Sequence, residues 1–283
     1  MSAAREFLLS VLPSQDIEKY DGEGKRIPSV TLTFAQSLDG KIAGSHGRQL
    51  TLSGPDSMLM THWMRAMHDA IVVGIGTAHN DDPQLNVRLI PEADKLHIKS
   101  PRPVVLDAYL RLRTDCKLLK NYRDGKGQQP WVFCASDPES ASTERLARKS
   151  ALEAAGAVVY EIPCVSGLLS ILGLLRKLHE CDIQSVMVEG GASVINTFMK
   201  QASQPRGPGE PPVVDTLIVT VAPTIVGDDG LGYTVGVSGD KLSVSDHLVL
   251  LGMPTESLYQ IPKFTHTRTA MMGRDTIIAG KFI

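Results

Sequence analysis

Short β-branched runs alternate with amphipathic helical stretches along this chain, and that rhythm confines it to an α/β fold around a mostly parallel sheet. Residues 30–35, 70–73, 103–106, 130–135, 157–162 and 185–188 read as buried strands, with 213–221 as a further one. A helix is predicted after Ser53, where Pro55 suits a first turn and Met58, Leu59, Met64 and Met67 recur at helical spacing. Further helices are predicted over 142–155, which Gly156 stops, over 167–180, and over 191–200. In the tail, 248–251 and 276–283 read as antiparallel strands closing the sheet.

At 283 residues the chain has room for one large domain or two small ones. The proline- and glycine-rich stretch 201–212 would be the obvious boundary, but the α/β rhythm resumes directly after it. It therefore reads as a surface insertion within one domain over 1–283, preceded by an N-terminal extension over 1–28. The formal charge of −2 argues against a nucleic-acid or anionic-membrane partner, since both call for a basic excess. The longest apolar run, 162–175, is too short for a spanning helix and is interrupted by Pro163, Gly167 and Gly173. Cys116, Cys134, Cys164 and Cys181 are scattered without metal-ligand spacing. No metal is expected, and the thiols read as buried core groups in a reducing, cytoplasmic setting.

Two glycine-bearing bends attract attention. Gly74-Ile75-Gly76-Thr77 ends a strand and lacks the third glycine of a dinucleotide fingerprint, position 79 being histidine. It reads equally as a tight strand-to-loop turn or as a place where a ligand approaches the backbone. Glu189-Gly190-Gly191-Ala192-Ser193 lies between a strand and a helix, where free N–H groups and the helix dipole favour an anion. A plain capped turn explains its glycines as well, but not a carboxylate at the end of an apolar strand. Lys41, Arg65 and Arg88 lie near these loops in sequence; arginine forks suit phosphate oxygens, although each residue alone fits a solvated surface charge. No hydrolase elbow, NTPase phosphate loop or zinc-protease helix occurs.

Taken in order, VTLTFAQSLDGKIAG, MRAMHDAIVVGIGTAHNDDPQLNVR, PRPVVLD, VMVEGGA and VDTLIVTVAPTIVG resemble the riboflavin-biosynthesis reductases. The resemblance runs from about Val30 to Gly227, and it implies a dihydrofolate-reductase-like fold. The chain lacks the zinc-deaminase signature, so it resembles the stand-alone fungal and archaeal enzymes. By that resemblance it would use NADPH, or also NADH, as a homodimer. It would reduce 2,5-diamino-6-(ribosylamino)pyrimidin-4(3H)-one 5′-phosphate to the ribitylamino compound.

The resemblance further implies that Thr77, Asp81, Gly190, Gly191, Ala192 and Ser193 contact the cofactor, and that Arg65, Leu85, Arg88 and Glu189 contact the substrate. Arg65 and Arg88 would hold the 5′-phosphate, with Glu189 and Lys41 as the catalytic candidates. Residues 49–51 stand where relatives often have a tryptophan and receive no role. Ser136 and Arg145 are candidates for reading a cofactor 2′-phosphate. Alternatives are reduction of the deaminated pyrimidine or of dihydrofolate, or a non-catalytic dinucleotide-binding protein on the same fold.

Overall fold

The computed structural model describes residues 2–13, 18–95, 98–136, 142–165, 168–204, 207, 210–233 and 264–282. The elements run α1 (Ala3–Val11), β1 (Ser29–Gln36), β2 (Lys41–Ala43), α2 (Pro55–Ala66), β3 (Ala70–Gly74), α3 (Ile75–Asp81), α4 (Glu92–Lys95), β4 (Arg102–Leu106), α5 (Lys117–Arg123) and β5 (Trp131–Ala135). They continue with α6 (Thr143–Ala154), β6 (Val158–Ile162), β7 (Cys164–Val165), β8 (Leu168–Leu169), α7 (Ile171–Glu180), β9 (Ser185–Gly190), α8 (Ala192–Ala202), β10 (Thr216–Val221), β11 (Leu231–Gly232), β12 (Phe264–Met272) and β13 (Asp275–Phe282).

Among the described residues, nine strands form one sheet in the order β12-β13-β10-β1-β9-β3-β4-β5-β6. All neighbours from β10 to β6 pair in parallel, while β13 is antiparallel to β10 and β12 to β13. Parallel strands are buried on both faces, which is why they read as unbroken apolar runs. In β3, Ile71 and Val73 join Leu8, Met60, Leu119 and Leu152 on the face covered by α1, α2, α5 and α6. Ala70 and Val72 join Leu174, Leu178, Ile195 and Phe198 on the face covered by α7 and α8.

The path of the chain locates the site. After β3 it moves outward to β4, β5 and β6; after β9, inserted between β1 and β3, it moves the other way to β10. The carboxyl ends of β3 and β9 thus flank a topological switch point, where an open α/β sheet leaves a crevice.

Several sequence expectations shift. The helix expected over 167–180 starts only at Ile171, with Ser170 as its cap; Leu168–Leu169 instead pairs with Cys164–Val165 as a small hairpin. The strand expected over 213–221 begins at Thr216. The bend after β3 is helical, α3, and α5 and β12 had no sequence counterpart. The expected strand 248–251 lies outside the described residues. Of the cysteines, Cys116 and Cys134 are buried, whereas Cys164 and Cys181 are only half-buried.

Candidate active site

The two glycine-bearing bends meet. Thr77 Oγ1, in the first turn of α3, donates to the Gly190 carbonyl over 3.2 Å. Gly190 and Gly191 have φ of 104° and 90°, conformations that side chains resist. A Cβ on Gly191 would lie 2.6 Å from Thr77 Oγ1, so the approach requires glycine sterically as well. Gly191 is also the N-cap of α8 and supplies no side-chain cap. The first N–H groups of that helix are left to bind an anion, with Ser193 beside them.

These bends floor a cleft of about 570 Å³, a size suited to a small ligand or part of a dinucleotide. One wall runs from Phe34 and Ala35 through Ile42 and Ala43 to residues 49–53. The opposite end is formed by Leu106, Ala108, Tyr109 and Arg111 together with Leu168 and Leu169. Thr77, Asp81, Gly191, Ala192, Ser193 and Glu189 all line it, so the structure brings these predicted residues together. Burial raises the Asp81 carboxyl above its ordinary pKa.

Glu189 owes its position to a bulge. In the pairing of β9 with β3, Val72 faces Val188 but Val73 faces Gly190, leaving Glu189 as the extra residue. Such an insertion re-aims a side chain at the end of a strand. Glu189 meets Arg65 of α2 in a two-pronged pair: Arg65 Nε donates to Oε1 over 2.8 Å and Nη2 to Oε2 over 2.9 Å. Arg65 Nη1 donates to the Asn86 carbonyl over 3.3 Å. The carboxylate on an apolar strand therefore has its partner, 124 residues away in sequence.

Arg88 completes a basic cluster behind Glu189. Its Nη1 donates to Asn86 Oδ1 over 2.9 Å, and its backbone N–H donates to His62 Nδ1 over 3.0 Å. Burial, and then the charge of Arg65, push the Arg88 pKa down, while Glu189 pushes it up. Two guanidiniums sharing one carboxylate leave a positive surplus, which an anion would neutralise. His62 is fully buried one turn before Arg65, and its Nε2 lacks a hydrogen-bond partner. Burial, with Arg65 and Arg88 adding to it, lowers its pKa to about 3, so the ring is neutral. Since Nδ1 accepts, the proton belongs on Nε2.

Other predicted residues fall elsewhere. Arg65, Arg88, Gly190 and Lys41 are not themselves cleft-lining residues: Arg65 and Gly190 bond to the lining residues Glu189 and Thr77, Arg88 lies behind them, and Lys41 is followed by Ile42 and Ala43, which do line it. Leu85 is core, with φ of 53°, so only its backbone could face a ligand. Arg145 is already engaged, donating to the Ala108 carbonyl over 3.0 Å and to the Ala135 carbonyl. Sequence reasoning missed Arg111 and assigned nothing to residues 49–53, which have no signature beyond their distance from β1.

Helix α2 owes its placement to the far end of the chain. The buried Asp275 carboxylate, at the start of β13, accepts the Gly54 N–H over 2.7 Å and the Ser57 hydroxyl through the same oxygen. It thereby ties down the N-cap residue and first turn of the helix that carries His62 and Arg65.

A profile of the RibD C-terminal domain matches residues 28–250. The 2,5-diamino-6-ribosylamino-4(3H)-pyrimidinone 5′-phosphate reductase of Debaryomyces hansenii is 35% identical over 208 residues, which cover 72% of this chain and 78% of that one. Among solved structures, the Saccharomyces cerevisiae riboflavin biosynthesis reductase Rib7 superposes with a TM-score of 0.66 at 24% identity, covering 100% of both chains. A pyrimidine reductase-like protein of Corynebacterium diphtheriae gives 0.71 at 17% identity, covering 100% of this chain and 99% of its own. At these identities the two structural likenesses speak for the fold.

Proposed function

Because the chain belongs to the RibD C-terminal domain family, we propose that it is the reductase of 2,5-diamino-6-(ribosylamino)pyrimidin-4(3H)-one 5′-phosphate in riboflavin biosynthesis. It acts as one dihydrofolate-reductase-like domain, as a homodimer, in the cytoplasm, with NADPH as reductant. The observation that carries the reading is the shared crevice: the Thr77–Gly190 contact holds the bend that leads to Asp81 against the bend that carries both Glu189 and the anion-binding helix start. The cytoplasmic setting is supported by four unpaired cysteines, and no described helix is long and apolar enough to cross a membrane.

The cleft fits a dinucleotide on its own terms. The α8 start has no side chain over its first N–H groups, and the Gly191 position is one a Cβ would fill. The backbone from Gly191 to Ser193 would hold the pyrophosphate, and Asp81 would accept hydrogen bonds from cofactor hydroxyl or amide groups. When bound, the reduced nicotinamide supplies a hydride.

The chain's own contribution is positioning. Arg65 and Arg88 hold the substrate 5′-phosphate, using the surplus charge that Glu189 leaves. Glu189 orients the sugar opened to its imine, whose C1′ would accept the hydride while the attached nitrogen takes a proton from water. Phe34, Ala35, Ile42, Leu50 and Leu52 present an apolar wall against water. A hydride donor and acceptor held about 3–3.5 Å apart need no protein nucleophile, which agrees with the missing Ser–His and Cys–His signatures. Lys41 is given no role in this reading.

The test is an anaerobic assay of purified protein with NADPH and each of three substrates: the ribosylamino pyrimidine 5′-phosphate, its deaminated form and dihydrofolate. Oxidation of the cofactor with the first alone is expected. Tight NADPH binding without oxidation by any of the three refutes the reading.

A further inference from the structure

We infer that His62 is the positioning residue of the phosphate clamp: its Nδ1 fixes where Arg88 stands against Arg65, and through Arg88 it sets the affinity for the substrate's 5′-phosphate. This rests on the reading of the two arginines above. Residues 86–88 belong to no helix or strand, and side chains hold their backbone. The Val87 N–H donates to Ser100 Oγ over 3.1 Å and the Arg88 N–H to His62 Nδ1 over 3.0 Å, while the Asn86 carbonyl accepts Arg65 Nη1 over 3.3 Å. Two of these three ties come from α2, from residues one turn apart. The helix that carries one arginine therefore also sets the place of the other.

The ties close a ring. Arg88 Nη1 returns to Asn86 Oδ1 over 2.9 Å, and Asn86 Nδ2 donates to the Lys126 carbonyl over 3.3 Å. Within this ring the charge of Arg65 reaches Arg88 and pushes its pKa down. Like charges held together repel until an anion lies between them. A neutral acceptor at the Arg88 N–H holds the loop against that repulsion without adding to it. Burial keeps the His62 ring neutral, with Nδ1 able to accept.

Packing alone does not call for an imidazole at position 62. The ring is fully buried and its Nε2 has no hydrogen-bond partner, so it carries the desolvation cost of an unmade bond. An apolar side chain of similar size would fill the space without that cost, as Met60, Trp63 and Met64 do on the same helix. It would leave the Arg88 N–H without its acceptor. What the ring does make is the bond to Arg88, whose side chain is exposed while its backbone is tied to the interior.

The experiment measures kcat, KM for the ribosylamino pyrimidine 5′-phosphate and KM for NADPH with the whole chain, in the wild type, His62→Leu, His62→Asn, His62→Gln, Arg88→Ala and the pair His62→Leu with Arg88→Ala. Loss of a charged hydrogen bond predicts that Arg88→Ala raises KM for the pyrimidine about 10- to 100-fold. His62→Leu should raise it about 5- to 20-fold and leave kcat and KM for NADPH within about twofold. His62→Asn, whose amide oxygen reaches the place of Nδ1, should restore most of that affinity. His62→Gln, whose oxygen reaches only toward Nε2, should share the loss, and it replaces His62→Leu if leucine does not fold. In the Arg88→Ala background His62→Leu should add nothing, because no guanidinium is left to place. The inference is overturned, with the clamp intact, if His62→Leu leaves KM for the pyrimidine alone, if it raises both KM values alike, if Asn and Gln behave equally, or if its effect adds in full to that of Arg88→Ala. An unchanged KM in Arg88→Ala, or no turnover in the wild type, refutes the clamp itself and the inference with it.

Discussion

Replacing Gly191 by alanine tests whether the two bends touch. The backbone there has φ of 90° and ψ of 138°, a region open almost only to glycine, and an alanine held in it costs about 1–3 kcal/mol. The added Cβ would also lie 2.6 Å from Thr77 Oγ1, an overpacking cost of about 1–3 kcal/mol. The two sources together predict a loss of about 3 kcal/mol in urea unfolding. Thr77→Ala alone removes one hydrogen bond, to the Gly190 carbonyl, and costs about 1 kcal/mol. The informative variant is the double one, because alanine at 77 removes the atom that the new Cβ strikes. Gly191→Ala in the Thr77→Ala background should therefore cost only the backbone part, with a coupling of about 1 kcal/mol or more. Equal losses with threonine and alanine at position 77 would mean that the bends do not meet, and the shared crevice would be lost with them.

Glu189→Gln should cut turnover. It should also lower stability by roughly 3 kcal/mol, because the buried Arg65 guanidinium loses its counter-charge; unchanged kcat and unchanged unfolding would remove the pair from the reading. His62 predicts a pH slope. Its folded pKa of about 3 lies below the ordinary 6.5, so between those values the unfolded chain binds the extra proton and stability rises with pH, flattening above 6.5. Over that window the wild type should gain roughly 2–4 kcal/mol more than His62→Gln, and parallel curves would contradict a neutral buried ring. Asp275→Ala should cost about 1–3 kcal/mol, because it leaves the buried Gly54 N–H and Ser57 hydroxyl without their acceptor, and should raise KM for the phosphorylated substrate through Arg65. A stability loss with KM unchanged would separate this anchor from the site.

What could be read from sequence was whatever depends on near neighbours. The parallel strands were visible because burial on both faces makes them continuous apolar runs, and β3, β4 and β5 emerged within a residue of their limits. The start of α7 was misplaced because Leu168 and Leu169 extend its apolar spacing, although they belong to a hairpin that Ser170 separates from the helix. Strand β12 is exposed along most of its length and lacks the apolar signature altogether. At the site, the glycines and Glu189 were conspicuous as local oddities, whereas the bulge that aims Glu189 exists only in its pairing with β3. Arg65 looked like one more surface charge until the fold set it against a residue 124 positions away. Arg111 carries no local signal, because its place on the cleft wall is set by the contacts of its turn with Asp107 and His79.

The bond from Gly54 to Asp275 spans 221 positions. It orders events during synthesis: every group assigned to the cleft is made before the residue that fastens the arginine-bearing helix. Completion of the pocket therefore waits on the closing hairpin. The linkage also runs backward in the finished molecule. Fraying of that hairpin slackens the grip on the substrate's anionic end, and a ligand seated there should slow amide exchange in β12 and β13, far from any atom it touches.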